Sequence, residues 1–141
     1  MAISMYSASV PVFTRMLGHL AAWLDKAEAH AAAKGFDTAV YMTVRLAPDM
    51  LPLARQVIIA CDSAKLCVAR LSGVEAPRFE DSETTLAQLK ERIQKTLDYL
   101  NSVDASRLDG TEAKEIVFPV GRDKTRTMSG EAYFKHHALP N

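Results

Sequence analysis

Apolar residues recur at steps of three and four along the N-terminal part of the chain, from Met5 to about Lys34. This spacing places them on one side of an α-helix and predicts a single long amphipathic helix. Pro11 either kinks this helix or marks its true first turn, and Gly35 is a suitable end. The predicted stripe contains Phe13, Met16, Leu17, Leu20, Trp23, Leu24 and Ala27. Such a long stripe needs other helices to cover it, which favours a helical bundle.

A second helix is predicted after a connector that begins at Phe36. Because the connector contains Pro48 and lacks a clean alternation of apolar and polar residues, we expect an ordered loop there. Asp49 is the expected N-cap, Pro52 falls in the first turn, and Gly73 ends the helix. The predicted core stripe comprises Leu53, Val57, Ala60, Ala64, Val68 and Leu71.

The opposite side of this second helix also carries apolar residues: Ile58, Ile59, Leu66 and Ala69. A helix that is apolar on two sides is either central in its bundle or covered by another subunit. We favour the second interpretation and expect a homodimer. Its interface would involve the outer face of the helix, with Ile59 and Leu66.

A third helix is predicted to begin at Thr85, since Thr85 followed by Gln88 is a capping-box pattern. Its stripe comprises Leu86, Leu89, Ile93, Leu97 and Leu100, and it ends near Asn101. The stretches "EIVFPV" and "TRTM" predict a small β-hairpin with Ile116, Phe118 and Val120 on one face. Ser129 then caps a last helix of about a dozen residues.

These elements predict an all-α fold in which residues 1–141 form a single four-helix bundle domain, with a small β-hairpin before the last helix. So short a last helix would leave part of the bundle core uncovered. We therefore expect that the chain is truncated within this helix and that the helix is incomplete at Asn141.

The balance of charge excludes one class of partner. With 17 basic and 17 acidic residues, the formal net charge is zero, so we expect no nucleic-acid partner. No apolar run approaches the roughly 20 residues needed to span a bilayer, and the N-terminus lacks the pattern of a secretory signal. Cys61 and Cys67 lie about 120° apart around one predicted helix and cannot bridge each other. We expect buried thiols and a cytoplasmic protein.

Few residues suggest a functional site. Gln56, Asp62 and His137 are the polar residues that we consider for a common ligand pocket. Asp62 and Arg55 project similarly from their helix, so with Lys65 or Arg70 they could instead form an ion pair at the surface or at an interface. His137 lies four residues after Tyr133 and can face inward, where a buried structural role is the simpler interpretation.

Other residues are assigned structural roles. His19 and His30 are about 16 Å apart along the first helix and cannot share one metal ion directly. Arg45 and Asp49 are expected to fix the loop and cap the second helix, although a loop on a rigid bundle can also bind ligands. The sequence contains no nucleophile–base pattern, glycine-rich phosphate loop or Cys/His metal spacing.

Several stretches resemble an uncharacterised bacterial family along essentially the whole chain. They are "ISMYSASVPVFTRML", "LDKAEAHA", "RLAPDMLPLARQV", "DSAK" and "ARLSGVEAPRFEDSETTLAQLKERI". The family is the domain-of-unknown-function family nineteen-ninety-three, a branch of the DinB/YfiT-like superfamily. The resemblance implies an up-down-down-up four-helix bundle with a long connection between the second and third helices. It also implies dimers, and a last helix that continues beyond "HALPN".

The resemblance also bears on metal binding. Metal-binding relatives carry one histidine on the second helix and a pair four residues apart on the last helix, and some are thiol-dependent transferases or isomerases. In this sequence Gln56 and Asn141 occupy two of those positions, and the remaining one lies beyond the chain. His137 is the only candidate ligand. Because neutral amides are poor ligands for zinc or nickel, we expect no metal cofactor.

Three functions remain open on these grounds. The first is a non-metal DinB-like protein that binds a small molecule or acts as an accessory, stress-related protein. The second is a metal- or thiol-dependent transferase or isomerase in which His137 completes an altered site with a divalent metal. The third is a purely structural dimeric interaction module.

Overall fold

The computed structural model describes residues 2–141, and three long helices that pack against one another dominate it. The helices are α1 (Met5–Lys34), α2 (Val40–Thr43), α3 (Leu53–Ser72), α4 (Leu86–Ser102) and α5 (Gly130–Tyr133). A 3₁₀ turn at Ala105–Arg107 follows α4, and a π-helical segment at Phe134–Ala138 continues α5. The hairpin consists of β1 (Glu115–Pro119) and β2 (Thr125–Ser129). The protein is therefore mostly helical with one small antiparallel sheet, and the up-down-down-up order remains a prediction.

Local capping signals explain where the long helices begin and end. The predicted capping box of α4 is present, because Thr85 accepts from the backbone N–H of Gln88 and the Gln88 side chain accepts from that of Thr85. Ser4 and Ser7 form a similar box at the start of α1. Helices α1 and α3 both end at glycines with positive φ, Gly35 and Gly73, in the left-handed conformation that glycine adopts without strain.

The start of α3 was predicted incorrectly. Pro52, not Asp49, occupies the N-cap position of this helix, and the helix has no side-chain cap. Asp49 lies in the preceding loop, which Arg45 fixes by donating to the carbonyl of Met50. The connector is also more regular than predicted, since Val40–Thr43 forms a single helical turn.

Helix α3 packs against α1, α2, α4 and the π-helical part of the last helix. Its predicted stripe is buried at Val57, Ala64, Val68 and Leu71. Ile58, on the second apolar side, is also buried within the same chain, so at this position the central interpretation is correct. Both cysteines are free and buried, as predicted. Among residues 2–141, no helix has the length and apolar character required to cross a bilayer.

Two residues of the predicted α1 stripe are not in the core. Phe13, Leu17 and Leu24 are buried, but the side chains of Met16 and Trp23 are 52% and 55% exposed. Both line an open groove between α1 and α3. The periodicity places both residues on the side of α1 that faces the other helices. Their exposure depends on how the helices pack, which the periodicity does not predict.

The hairpin packs against the last helix. Ile116 and Phe118 are buried as predicted, whereas Val120 lies beyond β1 and is 40% exposed. Ser129 caps α5, as predicted, by accepting from the N–H of Ala132. At Gly130 a Cβ atom would lie 2.0 Å from the carbonyl oxygen of Thr111, so only glycine permits this close approach. The start of the last helix therefore lies in close contact with the loop that precedes the hairpin.

Candidate functional site

A recess of about 270 Å³ lies between α3, the end of β1 and the last helix. We refer to it as the recess. Its lining comprises Ile59, Asp62, Ser63, Leu66, Arg70, Pro119, Tyr133, His137, Ala138 and Asn141. Two of the predicted pocket residues, Asp62 and His137, therefore meet in one cavity.

Arg70, Tyr133 and His137 form the polar wall of the recess. Arg70 projects from the last turns of α3, and its Nη1 donates to the hydroxyl of Tyr133 at 2.9 Å. Tyr133 and His137 are four residues apart on the last helix, and their rings stack with centroids 5.7 Å apart. Phe118 of β1 packs against both rings, at 4.8 Å from Tyr133 and 4.4 Å from His137. The hairpin thus fixes the orientation of the two rings.

The backbone around this wall is also specific. Lys114, just before β1, donates through Nζ to the carbonyls of Arg70 and Leu71 and so ties the hairpin to the end of α3. The last helix changes to π-helical geometry at Phe134, where the N–H of Leu139 donates to the Phe134 carbonyl at 2.9 Å. Such π segments are rare and occur frequently at functional sites.

The recess is electrostatically positive around His137. Burial lowers the pKa of His137 below its ordinary value of 6.5, and the nearby positive charges of Arg70 and Arg126 lower it further. The ring is therefore neutral at pH 7. Burial raises the pKa of the Tyr133 hydroxyl, while the hydrogen bond from Arg70 acts in the opposite direction. Tyr133 remains protonated and can both donate and accept hydrogen bonds.

Asp62 contributes a carboxylate whose charge is already balanced. Its Oδ1 lies 3.1 Å from Nη2 of Arg92 and 3.2 Å from Nζ of Lys65. Of the ion pairs predicted from the sequence, the one with Lys65 is present. The pairing with Arg55 is wrong, because Arg55 binds Asp81 at 2.7 Å.

The third predicted pocket residue, Gln56, lies in a different cavity. This cavity, which we refer to as the groove, is an open apolar channel of about 390 Å³ between α1 and α3. Its walls include Val12, Phe13, Met16, Leu17, Leu20, Trp23, Leu53 and Val57. The groove and the recess share Ser63, Ala138 and Asn141. The two cavities therefore adjoin.

The residues present do not fit the metal site that the family resemblance implies. The amide of Gln56 donates to the carbonyl of Leu51 at 3.2 Å, and the amide of Asn141 donates to that of His137. Neither amide replaces an imidazole as a ligand for zinc or nickel. Within residues 2–141, no three His, Cys, Asp or Glu side chains are arranged to bind a metal ion.

The cysteines are not reactive groups. Burial raises the pKa of Cys61 to about 11 and that of Cys67 to about 12. Both thiols are therefore protonated at neutral pH, whereas the thiolate is the nucleophilic form.

The sequence reasoning missed a second charged centre, the Arg92 cluster, which comprises Arg92, Asp62, Asp81 and Glu83. The Arg92 side chain is 2% exposed and lies 3.1, 3.0 and 2.8 Å from the three carboxylates in that order. The ring of Phe79 lies beside the guanidinium, at 5.5 Å. This cluster fastens the long connection between α3 and α4 to the bundle.

The sequence contains one indication of the Arg92 cluster. Arg92 lies between Leu89 and Ile93 on the apolar stripe of α4, where a charged residue requires a partner. Two carboxylates of the cluster come from the acidic stretch "FEDSE". This stretch has the composition of an ordinary solvated loop. Periodicity therefore indicates the buried arginine but not its partners.

Comparisons with known proteins agree with this architecture. The family described as Domain of unknown function (DUF1993) matches residues 5–141. A crystal structure of a DinB family member protein from Shewanella denitrificans is 42% identical and gives a TM-score of 0.85, covering 96% of this chain and 76% of its own. No curated protein matches the chain. The chain belongs to the DUF1993 family of DinB-like proteins.

Proposed function

We propose that this protein binds a small amphipathic molecule without a metal ion. The apolar part of the ligand lies in the groove, and its polar part enters the recess. The observation that carries this proposal is that the two cavities share Ser63, Ala138 and Asn141, so one molecule can contact both. Cavities of this size, largely apolar with a few convergent polar groups, are typical of small-molecule sites.

The chemistry of the side chains supports binding rather than catalysis. Cys61 and Cys67 are protonated and buried, and the positions to which the family resemblance assigns two metal ligands hold the amides Gln56 and Asn141. An accessory role in the cytoplasm suits a protein with two free buried thiols. The metal-dependent transferase remains the alternative, and no observation favours it.

Trp23 provides a direct way to test the proposal. It is the only tryptophan of the chain and lines the groove with its side chain 55% exposed. We would titrate the full chain at pH 7 with octanoate, octanol and octylammonium and follow the fluorescence of Trp23. Entry of an octyl chain should exclude water from the indole and shift its emission to the blue in a saturable manner.

A pair of variants distinguishes the groove from the rest of the surface. Ala60→Phe places a large ring in the groove and should abolish the saturable shift. Ala87→Phe, on the exposed side of α4, makes the same change outside the groove and should leave binding unaffected. The proposal is wrong if none of the three compounds gives a saturable response, or if both variants respond like the unmodified chain.

The outer face of α3 favours a second role. Ile59 is half-buried, and Leu66, two turns further on, is 37% exposed. Both side chains also line the recess, so we propose, as an alternative to ligand binding there, that this face mediates homodimer formation. Leu66→Glu should then lower the molar mass measured by light scattering to that of a monomer, whereas Leu46→Glu, at a position 92% exposed, should not. A dimer that survives Leu66→Glu contradicts this placement.

A further inference from the structure

The guanidinium of Arg70 has no acidic partner within the part of the chain described. Arg70 is half-buried, and no carboxylate of residues 2–141 lies within 4.0 Å of it. Its one side-chain hydrogen bond there is the one to the hydroxyl of Tyr133. Because an arginine carries five N–H donors, most of its donor capacity remains free toward the recess.

The remaining charges around the recess do not neutralise Arg70. From α3, Asp62 faces the same cavity, but Arg92 and Lys65 already bind its carboxylate. From β2, Arg126 lies close enough to act on His137 and adds a second positive charge. The last helix contributes Tyr133 and His137, both neutral at pH 7. The recess therefore has an excess of positive charge.

The position of Arg70 is fixed before any ligand binds. Its guanidinium carbon lies 5.6 Å from the ring centre of Phe118 and 5.7 Å from that of Tyr133. Together with the hydrogen bond to Tyr133, these contacts favour the orientation in which the guanidinium lines the recess. A planar guanidinium fixed in this way suits two parallel hydrogen bonds to a carboxylate or phosphate group.

We propose that the recess is an anion site that binds the carboxylate or phosphate head of the ligand through Arg70, with Tyr133 and His137 as further hydrogen-bonding groups. This inference rests on the proposed function, because the apolar tail of the same ligand occupies the groove. It defines the ligand class as an amphipathic anion.

Binding of an anion also changes the protonation of His137. The negative charge offsets the two arginines that disfavour the imidazolium, so the pKa of His137 rises when the anion binds. Anion affinity therefore increases as the pH falls through the pKa that His137 has in the complex. Each unit by which the ligand raises this pKa corresponds to about a tenfold gain in affinity at low pH.

The test compares ligands that share a tail and differ in the head. The full chain would be titrated with octanoate, octyl phosphate, octanol and octylammonium, with Trp23 fluorescence as the readout. Because hydrogen bonds to charged groups are stronger than neutral ones, at least one anion should bind about tenfold more tightly than octanol. Octylammonium should bind more weakly than octanol. The ranking of octanoate and octyl phosphate distinguishes the two possible heads.

Three variants assign the preference to the recess. Arg70→Gln keeps a donor for Tyr133 but removes the charge, and it should abolish the preference for anions over octanol. His137→Gln should remove the dependence of anion affinity on pH. Arg15→Gln removes an equal charge from the exposed side of α1 and should change neither.

The outcomes separate the two proposals. If octanol binds as tightly as both anions, or if Arg70→Gln weakens all compounds equally, the anion site is wrong and the proposed function stands. If no compound binds, the proposed function fails and this inference fails with it. Should Arg70→Gln not fold, the preference of the unmodified chain for anions decides. Equal affinity for octanoate, octyl phosphate, octanol and octylammonium then contradicts the inference.

Discussion

Two arginines of this protein, one buried and one half-buried, differ in how their charge is balanced. Arg92 is almost fully buried, and Asp62, Asp81 and Glu83 surround it. Arg70 faces the recess and, within residues 2–141, has a tyrosine hydroxyl in place of a carboxylate. A balanced buried charge serves the fold, because its partners come from the chain itself. An unbalanced charge in a cavity indicates that its partner comes from outside.

The largest predicted change in stability results from removing Arg92, and it tests the contrast between the two arginines. Arg92→Met leaves Glu83, whose side chain is only 10% exposed, without its partner. Loss of one member of a buried ion pair should lower the free energy of unfolding by about 3–5 kcal/mol. Denaturation in urea would measure the loss.

Arg55→Met is the matched control for this change. It breaks a pair whose side chains are 45% and 43% exposed and should cost only about 0.5 kcal/mol. If the two variants lose equal amounts of unfolding free energy, then Arg92 stabilises the fold no more than an exposed ion pair does.

The next effect concerns the helix that carries the recess. In Gly130→Ala, the added Cβ meets the carbonyl oxygen of Thr111, so the last helix must move together with Tyr133 and His137. The expected loss is about 1–3 kcal/mol of unfolding free energy, and anion binding should weaken. A thermal melt and the Trp23 titration would measure the two changes.

Gly18→Ala makes the same substitution where the added Cβ meets no atom within 4 Å beyond the neighbouring backbone of α1. It should stabilise α1 by about 0.5–1 kcal/mol, because alanine suits a helix interior better than glycine. If Gly130→Ala is as well tolerated as Gly18→Ala, the close approach does not fix the last helix.

The sequence predicts the elements better than the contacts between them. Helical periodicity and capping patterns define α1 from Met5 to Lys34 and place Thr85 at the start of α4, because both signals are local. The N-cap at Pro52 is missed, since it has no side-chain bond and therefore no sequence signature. Met16 and Trp23 have the spacing of core residues, and only the tertiary arrangement shows that they line a groove.

The same limit applies to the candidate site. His137 and Asp62 line the same recess, and their participation in a ligand site stays a prediction. Gln56, two turns from Ser63 on α3, enters the adjoining groove instead. The role of Arg70 depends on Tyr133, which is 63 positions away in the chain, and periodicity contains no information about such a pair.

The smallest effect is the response of stability to pH. The pKa of His137 is lower in the folded protein than its ordinary value of 6.5, so folding favours the neutral ring. The corresponding stability is present above pH 6.5 and is lost as the pH falls through the lowered pKa. The melting temperature of the unmodified chain should therefore decrease more between pH 7 and pH 5 than that of His137→Gln. Identical decreases would show that folding does not lower the pKa of His137.

The most direct measurement is a titration of the His137 ring by nuclear magnetic resonance, with and without saturating octanoate. If a bound anion supplies the missing partner of Arg70, octanoate raises the pKa of His137, and Arg70→Gln abolishes the rise. If octanoate binds, as reported by Trp23, and the pKa of His137 does not change, then the anion does not enter the recess.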